Sequence, residues 1–439
     1  MRQDREILGR LASYVAANVL GMIGVSCYIL ADTFFIAQAC GADGLTALNL
    51  ALPAYSLMNG FGLMIGMGGA TRYAISQAAG DRSGHERVFS HAMVLCLLCS
   101  LPFLLAGLGA ARPVALLLGA KGEVAALTGD YLGMILSFAP AYMLNNLMLA
   151  FLRNDGAPRL AMTAMLAGSI ANIFLDYLLL FPLGLGIRGA ALATGIAPCI
   201  GLAIQSLHLL RKRNGFRLVR SLPGLRQTGD ILSLGLSSLV LELSSGAVLL
   251  TFNVLLLSLA GNVGVAAYGV VANIALVVIA VFTGLSQGMQ PVLSDCYGRG
   301  ETRQIRLVYR ASLAAALLLA VAVWLLGSGF SRQAVAVFNA QQDPVLAGLA
   351  VTGIRIYFVS FLFSGVNIVT AAALSAMNRP GGGFLISILR GLVLMFPAAV
   401  GLAALFGVNG VWASVPAAEA ATTLLLPLLC RRKKEVRPS

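Results

Sequence analysis

The sequence predicts an all-α membrane protein, with twelve transmembrane helices in two pseudo-symmetric six-helix bundles. Three observations predict it. The chain is apolar and poor in charge, it divides into twelve long apolar spans, and a glycine pattern recurs after 220 residues. Of its 439 residues, 59% are hydrophobic and 11% charged. A soluble domain averages about 25% charged residues, and a soluble chain this apolar would lack the polar surface to cover its core.

The spans fall at about 10–38, 44–76, 89–110, 124–152, 159–182 and 187–210. They continue at about 229–259, 263–295, 308–328, 344–376, 383–406 and 409–430. Most can cross a hydrocarbon layer of about 30 Å at about 1.5 Å per residue. The longest must tilt or project beyond the lipid.

Lys and Arg set the orientation. One side holds Arg2, Arg5 and Arg10, then Arg82, Arg87, Arg153 and Arg159. It also holds the basic segment 211–227, Arg299, Arg303, Arg306, Arg310, Arg379 and the tail group Arg431, Arg432, Lys433, Lys434 and Arg437. The other side holds Arg112, Lys121, Arg188 and Arg332. The positive-inside rule then puts both termini in the cytoplasm of a multi-pass protein of the plasma (inner) membrane. The net charge of +13 comes from these topology charges, so no nucleic-acid partner is expected.

The repeat aligns Gly41 with Gly261, Gly44 with Gly264, Gly68 with Gly288 and Gly80 with Gly300 at an offset of 220. Pro158 and Pro380 align at 222, and Gly186 and Gly189 align with Gly407 and Gly410 at 221. A six-helix unit has therefore been duplicated. Six is even, so both copies insert the same way up, with a cavity between them. The expected units are an N-terminal bundle (1–213), a cytoplasmic linker (214–228) and a C-terminal bundle with its basic tail (229–439).

Asp32 and Asp176 sit inside apolar spans. An acid at the centre of such a span costs roughly 2.5–3.5 kcal/mol on insertion scales, and chains that keep one commonly use it for a proton or an ion. Asp32 lies about 22 residues beyond Arg10, and Asp176 lies 17 beyond Arg159. Thr194 is about 10 Å down from the opposite surface at the helical rise. All three fall in the outer half of the first bundle. Asn172 is four residues before Asp176, on the same helix face. Two neighbouring carboxylates in low dielectric hold a proton between them more readily than one alone. The same oxygens suit Na⁺, so H⁺ and Na⁺ both stay open.

The second bundle places Phe252 and Ala398 at the repeat positions of Asp32 and Asp176. Its own acids are Glu242, read equally as a cationic-substrate or secondary proton site in the cavity and as a structural hydrogen-bonded group, and Glu419, read as structural. Asp295, Arg72 and Asp130 lie near span ends and read as interfacial. Arg355 and Arg390 lie within spans, where they pair with acids or line the cavity. The glycine-rich stretches 60–70 and 284–291 read as helix packing rather than phosphate loops, because strand-turn-helix context is missing. Gln287, Gln290, Asn145, Asn146 and Tyr28 are candidate lining residues of the cavity. Cys96 and Cys99 form a CxxC inside an apolar span and read as buried small hydrophobes. His85, His91 and His208 do not cluster in a metal-ligand spacing. Neither an enzyme nor a cofactor is expected.

At these motifs the chain resembles the multidrug and toxic compound extrusion (MATE) family, in its DinF-like bacterial and archaeal branch. The resemblance rests on ADTFFIAQACGADGLTALNLALP, GMGGATRYAISQAAGD, NIFLDYLLLFPLGLGIRGAALAT and AAYGVVANIALVVIAVFTGLSQGMQPVLSDCYGRG. It implies two six-helix bundles around a V-shaped cavity. It also implies export of amphipathic, often cationic compounds in exchange for H⁺ or Na⁺. By that resemblance Asp32, Asn172, Asp176 and Thr194 form the coupling-ion site, with Tyr28 lining the same pocket. The chain departs from the family in having no proline between residues 8 and 40, where Gly21 and Gly24 offer flexibility instead. Asp295 stands where the family more often has a neutral residue. A monomeric antiporter is expected. The alternative is a lipid-linked precursor flippase of the same wider superfamily, expected to line its cavity with several arginines.

Overall fold

In the computed structural model, the described residues are 2–210, 214–221, 224–338 and 342–430, and every regular element among them is helical. Arg211, Lys212, Arg213 and the basic tail lie outside them.

The first half runs α1 (Arg2–Ala78), α2 (Arg82–Gly109), the short α3 (Ala111–Leu117), α4 (Gly122–Ser137), α5 (Ala139–Asn154), α6 (Pro158–Leu180) and α7 (Gly186–Leu210). The second runs α8 (Leu225–Gly298), α9 (Thr302–Gly329), the short α10 (Ser331–Phe338), α11 (Pro344–Tyr357), α12 (Phe361–Ala376), α13 (Pro380–Ile388), α14 (Met395–Phe406) and α15 (Val408–Leu429).

The 77-residue α1 would be far too long for one crossing as a straight helix. It breaks at Gly41 (φ 63°, ψ −156°) into the spans Gln3–Gly41 and Asp43–Ala78. The 74-residue α8 breaks at Gly261 with φ 63° and ψ −157°. That backbone region is essentially closed to residues with a Cβ. Among the described residues ten helices are long and apolar enough to cross a membrane, and α4 with α5, bent by 50°, makes an eleventh. Dividing α8 at Gly261 is consistent with twelve crossings.

The α4–α5 bend sits at Phe138, just before Pro140, which lacks an N–H for the helical ladder. The counterpart in the second half is the 3₁₀ turn Phe358–Ser360 between α11 and α12. The duplication therefore extends to bends and to the surface helices α3 and α10.

There are two main hydrophobic cores, one mostly from each half. The halves meet near the end that carries the N-terminus. There Gly68 lies against the Ile231 carbonyl, Gly235 against the Met64 carbonyl, and Gly288 against Tyr14 and Val15, each too close for a Cβ. Glycines at these points let backbones approach within a distance that no side chain permits. Ion pairs add to the same end: Arg10–Asp295 at 2.6 Å and Arg303–Asp4 at 2.6 Å. Asp295 thus bridges Arg10 and Arg299.

Candidate cation site and central cavity

Small residues draw α1, α6 and α7 together. A Cβ at Gly24 would meet the Leu166 side chain at 2.6 Å, and one at Gly168 would meet the Ala197 carbonyl at 3.2 Å. Four side chains converge as a result. Asp176 is 0% exposed, Asp32 7%, and Asn172 and Thr194 are buried beside them. The Asp32 and Asp176 carboxyls lie close together. A hydrogen bond between them requires a proton on one, since an ionised carboxylate only accepts. Asn172 donates to Asp176 Oδ2 at 3.1 Å and accepts the Thr194 backbone N–H at 3.2 Å. Oδ1 of each aspartate is buried with no hydrogen-bond partner. Two orphaned carboxylate oxygens in one buried cluster have the chemistry to take a proton or a small hard cation.

Tyr131 is buried close to Thr194 and so belongs to this cluster. Its position on the span before the Phe138 bend is what brings it there, and sequence spacing carries no signal for that. Phe138 itself packs on Gly195, fixing α4 against α7 beside Thr194.

A cavity of about 380 Å³ lies next to the cluster, between the halves. Tyr28, Asn145, Asn146, Glu242, Gln287 and Gln290 all line it, and so does Thr194. Asp32, Asn172 and Asp176 stand behind its wall. Tyr28 reaches Tyr142 at 3.4 Å, and Tyr142 bonds Tyr55 in turn. Asn146 donates to Asn59 at 2.8 Å, and Glu242 of α8 lies close to the same Asn59. Gln205 donates to Asn145 at 2.7 Å. The two glutamines tie the halves together: Gln290 bonds Thr71, and Gln287 accepts from Arg153 at 2.7 Å. Arg153 reads in sequence as a loop cation, but the structure buries it at the cavity wall, because α5 extends to Asn154.

Among the described residues the second half carries no equivalent of the aspartate pair. Phe252, at the Asp32 position, stacks in an aromatic cluster with Tyr268 (4.9 Å) and Trp412 (6.4 Å). Glu419 is held instead by Arg390, whose Nε donates at 3.1 Å, and by Asn367 at 2.6 Å. Arg390 sits in the π-helical turn Leu389–Val393, which lets it reach both the acid and the cavity.

The MatE family model matches residues 18–178 and 239–400, once in each half. Multidrug export protein MepA of Staphylococcus saprophyticus is 26% identical over 406 residues, covering 92% of this chain and 88% of that one. The MepA of Staphylococcus aureus strain MRSA252 is 26% identical over 407 residues with the same coverage. A crystal structure of MATE in complex with MaL6 superposes with a TM-score of 0.90 at 23% identity, covering 96% of each chain. The outward-facing conformation of a MATE family transporter of the MOP superfamily superposes at 0.89 and 24%, again with 96% of each chain. With both halves matched over most of its length, the chain belongs to the MatE family.

Proposed function

We propose that the protein is a secondary active multidrug efflux antiporter. It exports amphipathic, often cationic compounds across the cell membrane in exchange for H⁺ or Na⁺, with both termini cytoplasmic. The observation that carries this reading is the buried Asp32–Asp176 pair, with its orphaned oxygens, directly behind the wall of an apolar cavity. The names of the MepA relatives support the substrate class.

Coupling works by differential affinity. A proton or Na⁺ at the aspartates stabilises one arrangement of the two halves, and substrate in the cavity stabilises the other. The cation and the substrate then exclude each other across a shared wall, through Thr194 and Tyr28. In this reading the glycine contacts at the cytoplasmic end close the cavity on that side, and the described conformation is open to the outside.

The flippase reading gains from Arg153 and Arg390, which both line the cavity. Arg390 is neutralised by Glu419, which leaves one uncompensated cation where a pyrophosphate would call for several. Inverted membrane vesicles decide the matter. Dye accumulation driven by a proton gradient alone, or by a sodium gradient alone, supports antiport and names the ion. Movement of a labelled lipid-linked sugar with no gradient-driven dye transport would establish the flippase.

A further inference from the structure

Arg153 lies in the last turn of α5 with an exposure of only 4%. Its Nη1 donates to Gln287 Oε1 at 2.7 Å and its Nη2 to Met165 Sδ at 3.4 Å, while its Nε is buried without a partner. No carboxylate pairs with it among the described residues. A neutral amide and a thioether do not balance a guanidinium removed from water, and a buried charge is ordinarily paired. The other arginine of the cavity, the part-buried Arg390, follows that rule through the buried Glu419. The charge is also no by-product of duplication, since Ser375 stands at the corresponding position, 222 residues on.

The cavity holds a complementary group at a useful distance. Asn146 is seven residues before Arg153 on the same face of α5, so the two are about 10 Å apart along the axis. Asn146 bonds Asn59, and Glu242 lies beside Asn59, packed on Gly60. Between the two ends the wall is apolar, with Leu63, Leu149 and Met165 among its residues. An acid and an unpaired base therefore flank an apolar slot about the length of a fused tricyclic ring system.

We propose that Arg153, with Gln287, forms an anion subsite that takes the carboxylate of zwitterionic amphiphiles. The basic end of the same molecule lies toward Glu242. This rests on the reading of the cavity as the substrate site. It adds that carboxylate-bearing substrates are selected rather than tolerated.

The test uses two dyes that differ in one group: rhodamine 110, which carries a free carboxylate, and its methyl ester, rhodamine 123. Binding of each to the purified full-length protein in nanodiscs is followed by fluorescence anisotropy. Arg153→Gln should weaken rhodamine 110 by about tenfold or more, the loss of one charge-assisted contact, and leave rhodamine 123 within about twofold. Arg153→Lys should recover part of the loss. Equal weakening of both dyes would make Arg153 a structural clamp to Gln287 and overturn the proposal. So would unchanged binding of both. If Arg153→Gln does not fold, the wild-type protein decides: rhodamine 110 binding as tightly as its ester supports the subsite, and binding about tenfold weaker overturns it. Glu242→Gln keeps the two readings apart. Failure of the wild-type protein to bind either dye defeats the substrate-cavity reading itself. Binding of rhodamine 123 that depends on Glu242, with no dependence of rhodamine 110 on Arg153, defeats the subsite alone.

Discussion

Leu11 and Ile231 occupy exchanged places. Leu11, from the first half, is buried in the core of the second, and Ile231, 220 residues later, is buried in the core of the first. The glycine contacts obey the same exchange. Gly68 abuts Ile231 and Gly235, while Gly288 abuts Tyr14 and Val15. The contact between the halves is therefore built twice, once in each direction, by one duplicated piece of chain.

Closure at this point should be destroyed by a single methyl group. A Cβ at Gly235 would fall 1.8 Å from the Met64 carbonyl oxygen, a backbone atom that cannot swing away. Gly235→Ala is predicted to force the two halves apart at this end and to lower efflux. Spin labels at Ala79 and Thr302 should report a longer distance than in the parent protein. An unchanged distance would show that the contact is not what closes this end.

The matched breaks at Gly41 and Gly261 predict matched costs. Gly41→Ala and Gly261→Ala should each lose about 1–3 kcal/mol, the strain of a side chain in that backbone region. Gly401 is helical, and a Cβ there would meet nothing within 4 Å, so Gly401→Ala should be neutral or slightly stabilising. Thermal unfolding in detergent ranks the three.

Breaking the Arg390–Glu419 pair should destabilise the second half strongly. Arg390→Gln leaves Glu419 with Asn367 alone and is expected to cost about 3–5 kcal/mol, as for other buried pairs with one partner removed. Arg390→Met with Glu419→Leu should recover much of that stability. Unfolding temperatures of the single and double variants measure the difference.

The segment after α7 is tied to the first half. Asp155 accepts from the Tyr73 hydroxyl at 2.6 Å, from His208 at 2.8 Å and from the Gly215 backbone N–H at 2.8 Å. Phe216 is fully buried among Tyr73, Phe89 and Phe151. A Cβ at Gly215 would meet the Tyr73 hydroxyl at 2.6 Å and Asp155 Oδ1 at 2.7 Å. Gly215→Ala should undock the segment and speed tryptic cleavage at Arg217 and Arg220. Cleavage at the parent rate would mean that the docking tolerates the methyl group.

Much of this could be read from sequence because membrane chemistry is sparse. Asn172 and Asp176 share a face through their spacing alone, and the acids stand out against apolar spans. The glycine repeat pairs Gly41 with Gly261, and the two positions prove to be matching backbone breaks that only glycine fits. Other parts depend on distances that sequence does not carry. Tyr131 joins Thr194, and Tyr55 joins Tyr142, across helices far apart in the chain. Arg153 reads as a topology charge because it follows an apolar run, and only the length of α5 and the approach of Gln287 reveal its burial. The Phe138 bend and the π turn at Arg390 are local backbone choices that apolar spans conceal.

The central claim is that Asp32 and Asp176 couple a cation to export. The most direct measurement compares Asp32→Asn and Asp176→Asn with the parent protein in proteoliposomes, following dye transport under an imposed ion gradient and dye binding at equilibrium. Both variants should bind dye yet lose gradient-driven transport. Gradient-driven transport at the parent rate in both would contradict the claim.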